Sequence, residues 1–185
     1  VRINESISNQ TLKEMAELKK IIAYAKSHSN RIHLMGLLSD GGVHSHIDHL
    51  KELVDILANE GIELGLHAFM DGRDTARDVG HNYVEEILKL PKLTFASMQG
   101  RSIGMDRDRR WNKIQACYEC LTGQGKSTTL SPLEYIKSEY KAERFDEFIS
   151  PVLFEKEWAI KKEDAVFFFN FRPDRAIQIT LTLAD

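Results

Sequence analysis

Eight of the chain's 11 arginines fall in three short stretches, residues 71–78, 101–110 and 172–175, and none of its 14 lysines does. They are Arg73, Arg77, Arg101, Arg107, Arg109, Arg110, Arg172 and Arg175. A generic solvated face mixes the two cations. Guanidinium alone suits planar, bidentate contact with phosphate or carboxylate oxygens. The competing explanation is pairing with Asp71, Asp74, Asp78, Asp106, Asp108 and Asp174, and it suits Arg77, Arg109 and Arg110 best. For the set as a whole, loop position and the exclusion of lysine point to a multiply anionic small ligand.

The segment Asp40-Gly41-Gly42-Val43-His44-Ser45-His46 could cradle an anion on backbone N–H groups at the start of the next helix. His44, His46 and His49, with Asp40 and Asp48 nearby, raise the alternative of a zinc site. Their spacing is not that of HExxH, and no Cys or Glu completes the set, so no metal ligand is assigned. One histidine is expected to meet the ligand while the others solvate or cap the helix start. Cys117 and Cys120 form a CxxC, but they sit among Ile114, Tyr118 and Leu121 in an amphipathic stretch rather than at a helix start, where thiolates are activated. Core packing is their expected role.

These residues need elements to position them, and hydrophobic periodicity supplies the outline. Helical spacing runs over 11–28, from Leu12 to Ala25, with Thr11 and Glu14 as a capping box. Further helices are expected over Ile47–Leu57 (ended by Gly61), around Tyr83–Leu88, over Trp111–Leu121, and from Pro132 toward Tyr140 behind an N-cap Ser131. Strands are expected at 31–38, 62–69, 93–98 and, fully buried, at 165–170. Residues 146–156 are ambiguous, although Pro151 argues against a central strand. Residues 123–129 read as the most flexible stretch, and Arg172–Arg175 as the opening of the last helix, with Pro173 at its first turn. Alternating strands and helices imply an α/β fold: a three-layer sandwich with a mostly parallel sheet flanked by helices. In such sheets ligands bind beyond the carboxyl ends of the strands, which is where the arginine loops fall.

Composition sets the outer bounds. A chain of 185 residues with 42% hydrophobic content suits a single domain with a proper core. Its 25 Lys+Arg against 28 Asp+Glu give a net charge of −3, which argues against nucleic acid as the main partner. No apolar run approaches the ~20 residues of a membrane span. Two cysteines give no disulfide framework and suit a reducing, cytoplasmic setting. Val1-Arg2-Ile3-Asn4 is neither a signal peptide nor an initiator methionine, so the chain is expected to begin inside a longer protein.

Four segments carry a family resemblance: SDGGVHSH (39–46), HAFMDGRDT (67–75), GRSIGMDRDRRW (100–111) and FFNFRPDRA (168–176). They resemble the cofactor-independent (2,3-bisphosphoglycerate-independent) phosphoglycerate mutases, in the family's order and over nearly the whole chain. The resemblance implies a two-domain enzyme. One domain is alkaline-phosphatase-like, with two Mn²⁺ ions and a serine that becomes phosphorylated. The other is an inserted α/β phosphotransferase domain, and residues 1–185 resemble that insert only. Neither the nucleophilic serine motif nor the Asp/His metal ligands of the first domain are found here. Ser102-Ile103-Gly104 stand where the family pattern has paired tyrosines.

Carried over by position, the resemblance implies that His44, Arg73, Asp74, Arg101, Arg107, Arg172 and Arg175 line a phosphoglycerate site. Asp74 would act as general base and acid at the glycerate hydroxyls. It further implies an isomerase of glycolysis interconverting 3-phosphoglycerate and 2-phosphoglycerate through a phosphoserine on the other domain. The protein would be cytoplasmic and monomeric, with that second domain as its partner, no membrane or nucleic-acid partner, and no cofactor on this chain. These residues alone are expected to show no turnover. The alternatives are a stand-alone sugar-phosphate binding module and a metal-dependent hydrolase using His44, His46 and His49.

Overall fold

The chain alternates strand and helix from residue 31 to residue 100, and the computed structural model describes residues 2–185. Helices α1 (Arg2–Ser8) and α2 (Ala16–Ser27) lead into β1 (Arg31–Leu38). There follow α3 (Ile47–Asn59), β2 (Glu63–Met70), α4 (Gly80–Leu88), β3 (Leu93–Gly100), the single turn α5 (Arg101–Gly104) and α6 (Trp111–Leu121). The last elements are α7 (Pro132–Lys141), β4 (Val152–Leu153), β5 (Ala165–Phe168) and α8 (Ile177–Ala184).

The sheet has five strands in the order β4-β3-β2-β1-β5. All neighbours are parallel except β3 and β4. Strand β1 runs in register with β2 from Arg31–Glu63 to Leu38–Met70. Both strands are almost wholly buried, which is why they read as continuous apolar runs rather than as alternation. Alternation survives in where the residues point. Ile32, Leu34, Leu64, Leu66 and Met70 join a core with α3, α4 and α7, while Met35, Leu37 and Phe69 join Cys117, Leu121 and Ile179 of α6 and α8. Helices therefore cover both faces, and the expected three-layer α/β architecture is present.

On the α6 side a polar chain crosses three strands. His67 Nδ1 lies 2.7 Å from Ser97 Oγ, His67 Nε2 lies 2.9 Å from His33 Nδ1, and His33 Nε2 lies 3.0 Å from Asp164 Oδ2. With both rings neutral, each bond has one donor and one acceptor: Ser97 to His67, His67 to His33, His33 to Asp164. Burial pushes both imidazoles below their ordinary range, His67 the further.

Several local expectations change. The helix over 11–28 is broken: Leu12–Glu14 form a 3₁₀ turn, Met15 is extended, and Thr11 makes no side-chain cap. Helix α1 had no clear sequence signal. Strand β5 stops at Phe168 and is only half-buried past Ala165, because it takes the outer position beside β1. Residues 146–156 supply β4, an antiparallel edge strand directly after Pro151, and the supposedly flexible 123–129 stretch is tied to it by Leu153 N to Lys126 O and Thr128 N to Leu153 O. Ser131 and Glu134 do form a full capping box on α7. No helix among the described residues is long and apolar enough to cross a membrane.

Candidate functional site

Connections from β1 lead outward through β2 to β3, whereas β5 lies on the opposite flank of β1. The strand order therefore reverses beside β1, the kind of point at which open α/β sheets bind ligands. The carboxyl ends of β1, β2, β3 and β5 deliver four loops to one rim, and the seven residues singled out as substrate-binding lie on them. Two bonds lace β1 and its exit loop to the last loop: Leu37 N donates to Asn170 Oδ1 (2.9 Å) and Phe171 N to His44 O (2.8 Å).

Arg101 begins the turn that caps β3, and its residue is only 2% exposed. Its Nη1 donates to Asp71 Oδ1 at 2.7 Å and to Asp74 Oδ2 at 2.6 Å. Asp71 is 1% exposed and also receives Ser39 Oγ (2.6 Å) and the backbone N–H groups of Arg73 (3.2 Å) and Asp74 (3.0 Å). That carboxylate thus organises the turn carrying Arg73 and Asp74. Burial alone would raise it, but Ser39, the Asp74 N–H and Arg101 outweigh burial and hold it below the usual carboxylate range. Conversely, the two carboxylates outweigh burial at Arg101 and strengthen its hold on its proton.

Glycine makes this turn possible. Gly72 has φ +66°, and a Cβ there would meet Glu147 N at 2.8 Å. Residues 145–149 press against the back of the site: Asp146 N donates to Arg77 O, Gly100 N to Ile149 O, and Glu147 reaches Arg73 at 3.7 Å. Asp146 is buried, accepts from Gly80 N and Tyr140 Oη, and burial pushes its carboxyl up to about 6. Sequence reading missed this brace, because its residues lie some seventy positions from the turn they support and carry no motif.

A second group centres on Asp174. Arg107 Nη1 approaches its Oδ2 at 3.2 Å and Arg172 Nη2 at 3.4 Å, while His44 Nδ1 stands 3.9 Å from Oδ1. Neither His44 Nδ1 nor Asp174 Oδ1 has a hydrogen-bond partner among the described residues, although both atoms are buried. Burial, Arg101 and Arg172 all push the His44 imidazole down, favouring its neutral form. Arg175 donates to Met105 O at 3.4 Å. Burial and the charges of Arg107, Arg101 and Arg73 hold its guanidinium below its usual value, a sign of crowded cations.

The other arginines behave variously. Arg110 pairs with Asp106 and Asp108 as expected, Arg77 lies 4.2 Å over the Phe145 ring instead of on a carboxylate, and Arg109 occupies a left-handed position at φ +57°. The Arg172–Arg175 segment corrects one expectation: it is a turn closed by Ala176 N to Pro173 O, and α8 starts only at Ile177. Its orientation comes from Asp174 and Met105 rather than from a helix N-terminus.

The histidine segment resolves without metal geometry. His46 caps α3 by accepting from Asp48 N at 3.2 Å, and His49 Nε2 meets Asn4 Oδ1 at 2.6 Å. No group of three or more His, Cys, Asp or Glu among the described residues is placed to hold a metal ion, so the donors here do not fit one. Cys117 and Cys120 are buried free thiols in α6.

The BPG-independent PGAM N-terminus family model matches residues 3–185. The 2,3-bisphosphoglycerate-independent phosphoglycerate mutases of Clostridium novyi and Aliarcobacter butzleri are 44% and 41% identical to this chain over all of its length. The chain spans 38% and 37% of those two relatives. Among solved structures, Leishmania mexicana phosphoglycerate mutase, determined at low cobalt concentration, superposes with a TM-score of 0.86 at 23% identity, over 96% of this chain and 36% of that one. With the model matched over nearly every residue, the chain belongs to the BPG-independent PGAM N-terminus family.

Proposed function

We propose that residues 1–185 form one substrate-binding phosphotransferase domain of a larger phosphoglycerate mutase. It would hold 3-phosphoglycerate and 2-phosphoglycerate while a serine elsewhere in the enzyme accepts and returns the phosphoryl group. The carrying observation is Arg101, buried and gripped by Asp71 and Asp74 at the rim to which His44, Arg73, Arg107, Arg172 and Arg175 also come. Both described bonds of Arg101 use Nη1, which leaves its other guanidinium nitrogens for ligand oxygens.

On this reading the serine oxygen attacks the phosphorus of 3-phosphoglycerate, the P–O bond to C3 breaks, and glycerate stays held here. Asp74 relays the proton that the serine gives up to the departing 3-oxygen. It then removes the proton of the 2-hydroxyl as that oxygen takes the phosphoryl group back, and the proton returns to the serine oxygen as 2-phosphoglycerate is released. Phosphoryl transfer depends mainly on positioning and charge stabilisation, which guanidinium groups on a rigid sheet rim supply. The Mn²⁺ pair belongs to the other domain, and this chain alone is inactive. The enzyme is read as a cytoplasmic monomer, and the two unpaired cysteines suit a reducing compartment.

Calorimetric titration with 3-phosphoglycerate tests the reading. Arg172→Lys and Arg175→Lys each weaken binding by roughly 1.5–3 kcal/mol, since one ammonium cannot copy a two-pronged contact. Lys137→Arg on α7 leaves binding unchanged. Parent-like binding by both arginine variants would remove this loop from the site.

A further inference from the structure

The arginine rim contains an acid that the proposed chemistry does not use. Asp174 lies between Arg107 and Arg172, its Oδ2 within 3.2 Å of one and 3.4 Å of the other. Its Oδ1 faces His44 Nδ1 at 3.9 Å, too far for a hydrogen bond, and both atoms are buried without a partner among the described residues. The guanidiniums of Arg172 and Arg107 outweigh its burial and hold the Asp174 carboxyl below the usual carboxylate range. By contrast, Asp71 meets four donors at ordinary distances. Asp71 is built in, whereas Asp174 has long bonds, an unsatisfied oxygen and 34% side-chain exposure. A carboxylate carries two oxygens and one charge, so it imitates, imperfectly, an edge of a phosphate or of a ligand carboxylate.

We propose that Asp174 is an internal counter-anion, holding Arg107 and Arg172 until an incoming phosphate ester or carboxylate takes its place. The inference rests on the reading of this rim as an anion site. Its consequence is a threshold. A ligand must engage both guanidiniums to displace Asp174, and a singly anchored anion leaves the existing pairs in place. Displacement also frees the 172–175 turn from its ties to Arg107, letting Arg172 and Arg175 turn to the ligand together.

The test is a gain of affinity, which loss of a merely structural acid would not produce. Inorganic phosphate and 3-phosphoglycerate are titrated calorimetrically into the chain, its Asp174→Asn variant and, in case the amide misfolds, Asp174→Ser. Circular dichroism checks folding. Neutralising Asp174 is expected to tighten inorganic phosphate binding about tenfold, the scale of one charge-assisted contact. Adding Arg172→Gln to Asp174→Asn is expected to cancel that gain. If the parent binds 3-phosphoglycerate and neither neutral variant binds phosphate more tightly, the counter-anion inference is overturned and the anion site stands. If parent and variants all fail to bind either anion at the highest usable concentration, both fall together.

Discussion

The guanidinium of Arg101 and the carboxylate of Asp71 stand 2.7 Å apart with both side chains buried, and Asp74 shares the same guanidinium nitrogen. A buried charge pair adds little net stability by itself, yet removing one member leaves the other uncompensated. Asp71→Asn should therefore destabilise the chain by about 3 kcal/mol, the lower part of the range for breaking a buried pair, because Asp74 still faces Arg101. Urea unfolding measures it. A change below about 1 kcal/mol, the scale of one ordinary hydrogen bond, would mean Asp71 is not the anchor of this turn.

On the proposed reading, Asp74 separates catalysis from scaffolding. Since Asp71 keeps hold of Arg101, Asp74→Asn in the proposed longer enzyme should leave 3-phosphoglycerate affinity nearly intact. Turnover should fall about 10²–10⁴-fold, as expected on losing a general acid/base. Parallel measurements of ligand affinity and of 2-phosphoglycerate formation check this. Equal losses in both would make Asp74 a holder of Arg101 instead.

Stability should fall on acidification near neutrality. The imidazoles of His33, His44, His49 and His67 are all pushed down by burial, so the folded chain binds their protons less readily than the unfolded chain does. As pH drops through the unfolded value of about 6.5, the unfolded state takes up more protons and gains ground. Asp146, raised to about 6 by burial, works in the opposite sense, adding stability as pH falls through that value. Four groups against one give a lower urea midpoint at about pH 5.5 than at about pH 7.5. Equal midpoints would show that the chain from Ser97 to Asp164 accepts a proton without loss.

Cys117 and Cys120 should resist thiol reagents in the folded chain. Burial pushes both thiols up, Cys120 to about 12, so almost no thiolate is present at neutral pH. A chromogenic disulfide reagent should react with both only in denaturant. Rapid labelling of the native chain would contradict their place in the core.

The sequence by itself determined the fold class and collected the candidate residues of the proposed site. Short, largely apolar runs such as RIHLMGLL, alternating with helical stretches, suit strands buried on both faces, and such strands go with parallel pairing and helices on either side. Strand ends then fix which loops share a rim, so His44, Arg73, Asp74, Arg101, Arg107, Arg172 and Arg175 could be collected from spacing and family resemblance alone. Only the tertiary structure decided which acid meets which arginine. Asp71 and Asp174 look alike in sequence, each an acid within two residues of an arginine. One is sealed beneath Arg101, and the other lies half-open between Arg107 and Arg172. The brace at 145–149 and the edge position of β5 were likewise settled only by folding. The physical reason is the same in each case. Periodicity reports local backbone geometry, whereas burial and charge pairing depend on segments that meet only when distant parts of the chain pack together.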